Sequence, residues 1–387
     1  QIGLGRWCRA DAHRAVGRAH MRRVGIGVGE DRDGLDVHRP CGEDDAAGDF
    51  AAVGNEQTVH APRPSVAEGG GEAAARDARL PAARRRPYGE GMALHPDMPA
   101  ARSWLFAPGD SPRKMDKAAA SAADIVLFDL EDAVAPDAKP HARALVAAQL
   151  AAHAGDHGRL WVRINPLGGP HALADLAAVM PGRPGGLMLP KATGAADVVR
   201  LHHHLEALEA AFGIAAGHTR VAALVTETAA ALFTTGGYAG APRLAAMSWG
   251  AEDLADALGA SSNRAPDGGY GFTYTLARSL CLVGAAAAGV AAIETIHGDF
   301  RDLDGLSARA EQARRDGFSG MLAIHPDQVA PINAAFTPTA EELAEAKAIV
   351  DLFAADPKAG AIGHKGAMLD RPHLARARAL LARAGPR

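Results

Sequence analysis

Lysine is missing from the first 113 residues of this 387-residue chain, although residues 1–91 alone carry 14 Arg and 14 Asp plus Glu. Leu, Ile, Val and Phe fill only 13 of those 91 positions, too few to bury a core. The stretch is therefore expected to be an extension outside the folded domain. It is read either as disordered or, preferably, as upstream DNA translated from a misplaced start, with Met92 (or Met98) as the initiator. Arg in place of Lys is what GC-rich reading frames give, and Gln1 stands where a Met is expected. A targeting peptide fits less well, because transit sequences are poor in acids. A tryptic peptide from before Met92, in protein made from its own locus, would sink the misplaced-start reading.

Other absences narrow the function. No apolar run approaches the roughly 20 residues needed to span a bilayer. Only three cysteines occur, Cys8, Cys41 and Cys281. They show neither metal-ligand spacing nor an even disulfide set, which fits a reducing cytoplasm. The net charge is −4, with no long basic block in the Lys-containing part, so neither nucleic acid nor an anionic membrane is implied as a partner. There is no Walker motif and no dinucleotide glycine fingerprint, which argues against a nucleotide-dependent reaction.

From Ser103 onward the pattern becomes regular. Short apolar runs recur at 103–107, 125–130, 160–164, 186–189, 221–225, 244–249, 290–296 and 320–324, separated by Ala- and Leu-rich stretches of helical composition. Eight short strands alternating with helices predict a (β/α)₈ barrel over residues 101–336, with an open doubly wound sheet as the alternative. Beyond it, residues 337–387 hold a helix over 340–354 with TAEE as its capping signal, a Gly-rich link over 359–366 and a last amphipathic helix. This surplus segment is either a lid reaching a neighbouring subunit or a helix covering the barrel wall.

A barrel gathers its chemistry where strands end. Asp129, Glu131 and Asp132 follow the second run, Arg163 and Asn165 the third, Pro190 and Lys191 the fourth. Glu227 follows the fifth, and Glu252 and Asp253 the sixth. Glu227 with one of the last pair would place two carboxylates side by side, the usual protein share of a Mg²⁺ site. The plainer reading of either acid is a cap on the next helix. Arg163 offers a planar fork for a substrate carboxylate, or else an ion pair with Asp129 or Glu131. His202, His203 and His204 occupy consecutive helix positions that point in different directions, so a solvated face is expected there. His325 is assigned no role.

Taken together, RSWLFAPGD, FDLEDAV, VRINP, MLPK, Glu227 with GAEDLADALG, AIETIHGDFRDLDGL, the IHPDQV run and the terminal GAMLD resemble the HpcH/HpaI aldolase and citrate lyase β-subunit-like family. The nearest branch is the CoA-ester lyases of the malyl-CoA and citramalyl-CoA type, and the resemblance covers about residues 101–385. It implies a barrel with Mg²⁺, or alternatively Mn²⁺, on Glu227 and Asp253. It also implies Arg163 on the substrate's carboxyl or carbonyl end, with Asp129 and Glu131 supporting the waters of the metal. Phe106 and Lys117 align with coenzyme A contacts, and Asp370 with a lid aspartate inserted into a neighbouring subunit's site. A homo-oligomer, trimer or hexamer, is implied as well.

The implied reaction is a reversible Claisen-type cleavage of a short 3-hydroxyacyl-CoA thioester such as malyl-, citramalyl- or citryl-CoA to an acetyl thioester and a 2-oxoacid. Asp370 would handle the proton on the acyl carbon. The alternatives are a thioesterase on the same site, a CoA-independent class II pyruvate aldolase, and a carrier-dependent citrate lyase β-type subunit. Two positions depart from the family pattern. Ser111 stands where an arginine is common, so that one CoA contact is lost or supplied by Arg113. Met321 stands where a lysine is usual.

Overall fold

The computed structural model describes residues 101–383; the extension over 1–91, with Cys8 and Cys41, and the candidate starts Met92 and Met98 lie outside them. Eight parallel strands close on themselves in chain order. They are β1 Ser103–Pro108, β2 Ile125–Asp129, β3 Leu160–Arg163, β4 Gly186–Leu189, β5 Arg220–Leu224, β6 Leu244–Ser248, β7 Ala291–Glu294 and β8 Gly320–Ala323. Around them run α1 Pro112–Ala119, α2 Lys139–Ala152, α3 Ala172–Val179, α4 Ala195–Ala211, α5 Ala251–Leu258, α6 Phe272–Ala288, α7 Leu303–Asp316 and α8 Val329–Phe336. The fold is a (β/α)₈ barrel, and each of the eight apolar runs became a strand.

The period-two alternation of the strands divides the core in two. Trp104, Ile125, Leu127, Trp161, Met188, Ala222, Leu224 and Ile293 fill the barrel, whereas Leu105, Val126, Phe128, Val162 and Leu187 pack outward against the helices. The rings of Trp104 and Trp161 meet edge to face at 5.0 Å. Gly186, paired with Trp161 across β3 and β4, is required by this packing, because a Cβ there would sit 2.4 Å from the indole. Met321 is fully buried in the outer layer, in register with Glu294, where a lysine ammonium would lack water.

Two connections differ from the sequence reading. Between β5 and β6 there is no α-helix, only the 3₁₀ turns Ala230–Phe233 and Thr235–Gly237. The run Thr234-Thr235-Gly236-Gly237 followed by Pro242 supplies poor helix formers. The Gly-rich link contributes to an antiparallel hairpin, β9 Ala361–His364 and β10 Ala367–Asp370. Its two turn residues, Lys365 and Gly366, have φ of 48° and 79°, the doubly left-handed turn that matches strand twist.

The hairpin lies between α9, Ala340–Ala355, and α10, Arg371–Arg383. The cap expected on α9 is present: Thr339 Oγ1 accepts from the Glu342 N–H, and the Glu342 carboxylate accepts from the Thr339 N–H. Phe353, Leu369 and Leu374 form a small apolar cluster of this segment's own, apart from the two barrel layers.

Candidate active site

The interior face of β2 carries Ile125, Leu127 and then Asp129; that of β3 carries Trp161 and then Arg163. The alternation that fills the barrel with apolar side chains therefore delivers an acid and a guanidinium, in register with each other, at its carboxyl end. Arg163 Nε and Nη2 grip the Asp129 carboxylate at 2.7 and 2.6 Å, and Nη1 lies 3.0 Å from Glu131. Its guanidinium carbon sits 4.8 Å from the centre of the Phe106 ring. Asp129 also accepts the N–H groups of Glu131 and Ala133, fixing the turn that follows β2. Burial alone would lower the Arg163 pKa, but the Asp129 carboxylate more than offsets it and holds the guanidinium charged. The ion pair is thus present, and it takes the Nε edge of the fork. Nη2 and Nη1 are already paired with Asp129 and Glu131, so a substrate carboxylate would meet the second N–H of each.

Glu227, just after β5, is 3% exposed, and its carboxylate is pushed up to about 8 by burial and then by the charges of Asp253 and Glu131. Glu131 is raised to about 7, again chiefly by burial. Gly250 leaves the space that Glu227 occupies: a Cβ there would lie 2.9 Å from its Cγ and 3.0 Å from Oε1. Asp253 lies in the first turn of α5 but does not cap it, since the helix starts at Gly250 without a side-chain cap. Instead its Oδ1 accepts from Lys191 Nζ at 2.8 Å. Glu252 is exposed on the mouth of the cavity.

Lys191 was visible in the sequence only as a polar strand end. Its N–H donates to Glu227 Oε2 at 2.6 Å, and its ammonium to Glu131 Oε1 at 2.6 Å as well as to Asp253. The one residue thereby touches both expected metal ligands. Glu227 and Glu131 are buried carboxylates whose proton affinity is raised chiefly by that burial, and the half-buried Asp253 stands beside them. Two carboxylates in that setting fit a hard divalent cation that keeps its other positions for water and substrate.

These groups open on a cavity of about 250 Å³, one wall of which is apolar: Phe106, Leu224, Trp249, Ile296, Leu322 and Ile324. Tyr270 and Thr295 complete the lining. The structure therefore brings together Phe106, Asp129, Arg163, Glu227 and Asp253 around one cavity, with Glu131 directly behind Arg163. Lys117, exposed on α1, and Asp370, at the end of β10, are not among the residues lining it. Asp370 pairs with His373 Nδ1 at 2.5 Å, a hydrogen bond that holds its carboxyl below the usual range. The wall residues Trp249, Tyr270 and Ile324 carried no sequence signal apart from core.

His202, His203 and Glu206 are, among the described residues, close enough to suggest a metal group. However, His202 Nδ1 accepts from Arg243 Nε at 2.8 Å, so the neutral ring carries its proton on Nε2. That nitrogen donates toward Glu206 and has no lone pair for an ion.

A (β/α)₈ barrel with acids and one arginine converging at the carboxyl ends of its strands defines an enzyme class that works on small anionic substrates with a divalent cation. The chain belongs to the HpcH/HpaI aldolase/citrate lyase family, which its residues 102–326 match. It is 39% identical over 287 residues to a citrate lyase subunit beta-like protein of Mycobacterium tuberculosis, covering 74% of this chain and 96% of that one. It is 34% identical over 293 residues to a (3S)-malyl-CoA thioesterase of Cereibacter sphaeroides, covering 73% and 94%. Among solved structures it is similar to CitE from M. tuberculosis in complex with magnesium, acetoacetate and coenzyme A. That match has a TM-score of 0.63 and 36% identity, over 75% of this chain and 100% of the other.

Proposed function

We propose that this chain is a Mg²⁺-dependent carbon–carbon lyase that cleaves, or forms, a short 3-hydroxyacyl-CoA thioester to give an acetyl thioester and a 2-oxoacid. The observation that carries the reading is the convergence of Glu227, Asp253 and Arg163 on one apolar-walled cavity. The solved relative bound to magnesium, an oxoacid and coenzyme A supports it. Glu227 and Asp253 would hold the ion. Bound there, it would supply Lewis-acid stabilisation of charge on the substrate oxygen as the carbon–carbon bond breaks.

The chain's own residues do the rest. The Nη groups of Arg163 bind the oxoacid carboxylate, and Asp129 keeps that guanidinium from turning away. Leu224, Ile296, Leu322 and Ile324 keep water from the thioester enolate. Phe106 and Lys117 are proposed to contact coenzyme A. Asp370, ionised by its bond to His373, removes the acyl-carbon proton in the condensation direction while the new alkoxide takes a proton from solvent. In cleavage the hydroxyl proton leaves to solvent, and the Asp370 carboxyl, having taken a proton from solvent, gives it to the enolate carbon. Because Asp370 does not line the cavity of its own chain, it would act from a neighbouring copy in a homo-oligomer. Among the described residues no helix is long and apolar enough to cross a membrane, and a cytoplasmic site of action fits.

A thioesterase on the same site is the second reading, favoured by the similarity to a (3S)-malyl-CoA thioesterase. The test is a Mg²⁺-dependent assay of the full chain with malyl-CoA, citramalyl-CoA and citryl-CoA, measuring oxoacid and free thiol separately. Oxoacid release that is lost in Glu227→Ala and Asp253→Ala, and falls sharply in Asp370→Asn, is the expected result. Thiol without oxoacid would establish the thioesterase. Silence on all three substrates would turn the reading toward a CoA-independent aldolase or a carrier-dependent subunit.

A further inference from the structure

Lys191 follows β4 and Pro190 in a left-handed conformation, φ 51°, which a residue with a side chain adopts only where its surroundings fix it. That backbone turn does two things at once. It aims the N–H at Glu227 Oε2, 2.6 Å away, and it sends the side chain across the barrel mouth from the end of β4 to the start of α5. There the ammonium rests between Asp253 Oδ1 at 2.8 Å and Glu131 Oε1 at 2.6 Å, with Asp132 at 3.6 Å. The other cation of the site, Arg163, is paired with Asp129 and Glu131 and does not touch Asp253.

We propose that Lys191 is the built-in cation of the metal-free site, and that a divalent ion binds by exchange, displacing the Lys191 ammonium from Asp253. The inference rests on the reading of Glu227 and Asp253 as metal ligands. An ammonium 2.8 Å from Asp253 Oδ1 and a Mg²⁺ ion about 2.1 Å from the same carboxylate would repel each other across a few ångströms, so the two cations compete for Asp253. The exchange leaves no charge stranded, because the ammonium keeps Glu131 and gains Asp132, which is already within reach. Meanwhile the backbone bond to Glu227 does not depend on where the side chain goes, so one ligand stays in place while the other changes partner. Lys191 therefore keeps an anionic site assembled before the ion arrives, and it discounts the affinity of the ion once it does.

The competing account is that Lys191 permanently positions Asp253 for the metal. The two accounts predict opposite signs for removal of the ammonium. The experiment is a titration of the full chain with Mn²⁺, following free Mn²⁺ by electron paramagnetic resonance, for wild type, Lys191→Met and Lys191→Asn. Asn tolerates the left-handed backbone and guards against a misfolded Met variant. The expected result is Mn²⁺ affinity raised about five-fold or more in both variants. Their metal-free melting temperatures should also fall, with the deficit shrinking at saturating Mn²⁺. Unchanged or weaker Mn²⁺ binding in either folded variant overturns the proposal. Absence of any Mn²⁺ binding by wild type, with Glu227→Gln indistinguishable from it, would instead overturn the metal reading and the exchange together.

Discussion

The indole N–H of Trp249 donates a 2.7 Å hydrogen bond to the fully buried carboxylate of Glu294. The same carboxylate accepts from Arg278 Nε at 2.6 Å and from the N–H of Thr295 at 2.9 Å, so one acid behind the cavity wall ties β6 and β7 to α6. Trp249 in turn meets the Tyr270 ring edge to face at 5.0 Å, and both line the cavity. Removing the carboxylate strands a buried indole N–H and leaves Arg278 with only Asp316, 2.8 Å away, of its two acids. Glu294→Ala is expected to cost about 3–5 kcal/mol in urea unfolding. Glu294→Gln, which keeps an acceptor for Trp249, should cost less, about 1.5–3 kcal/mol. Equal losses in the two variants would show that the bond to Trp249 contributes nothing.

Glu227 and Glu131 titrate in the folded protein near 8 and 7, above their ordinary 4.5. Between those values the folded metal-free protein holds protons that the unfolded chain has released, so its stability falls with rising pH. The contribution is fully present below about pH 4.5 and is gone once the pH passes through about 8. Melting temperature without metal should therefore decline from about pH 5 to about pH 9. Since ionised Glu227 is the proposed ligand, Mn²⁺ affinity should move the other way, weakening by up to about ten-fold per unit below pH 8. A calorimetric pH series checks both signs, and Mn²⁺ affinity independent of pH would remove Glu227 from the ligand set.

The barrel was legible because fully buried parallel strands read as short continuous apolar runs, and SWLFA, IVLFD and LWVR are such runs. The C-terminal hairpin was not, because Lys365-Gly366 is a weaker turn signal than Asn-Gly and the strands beside it are largely exposed. Acids at strand ends were likewise visible, and the structure gathers Asp129, Glu227 and Asp253. The part played by Lys191 was invisible, since it depends on a left-handed turn at the end of β4 and on the helix that begins after β6. Trp249, Tyr270 and Ile324 read as core residues, because an apolar side chain looks the same in sequence whether it faces a helix or a cavity.

Arg163→Lys separates charge from shape. A lysine keeps the positive charge but cannot hold Asp129 through two parallel bonds, lie over Phe106 and still present donors to a substrate. Turnover on the preferred thioester is expected to drop about 100-fold, equivalent to about 2.7 kcal/mol of transition-state stabilisation. Mn²⁺ affinity should change little, because Arg163 touches neither Glu227 nor Asp253 directly. Turnover within two-fold of wild type would reduce Arg163 to a structural ion pair.

Gly250→Ala isolates the space around Glu227. The backbone at Gly250, φ −122° and ψ 122°, is open to any residue, so an alanine there brings no backbone strain. Its methyl group would lie 2.9 Å from the Glu227 Cγ and 3.0 Å from Oε1, and these are the atoms nearest to it. The side chain must turn away, carrying its carboxylate from Asp253 and from the N–H of Lys191. Mn²⁺ affinity should fall about ten-fold or more, while urea unfolding without metal shifts by less than about 1 kcal/mol, because the strain falls on a side chain rather than on the core. A large loss of stability with metal affinity intact would mean that Gly250 serves the start of α5 and not the carboxylate.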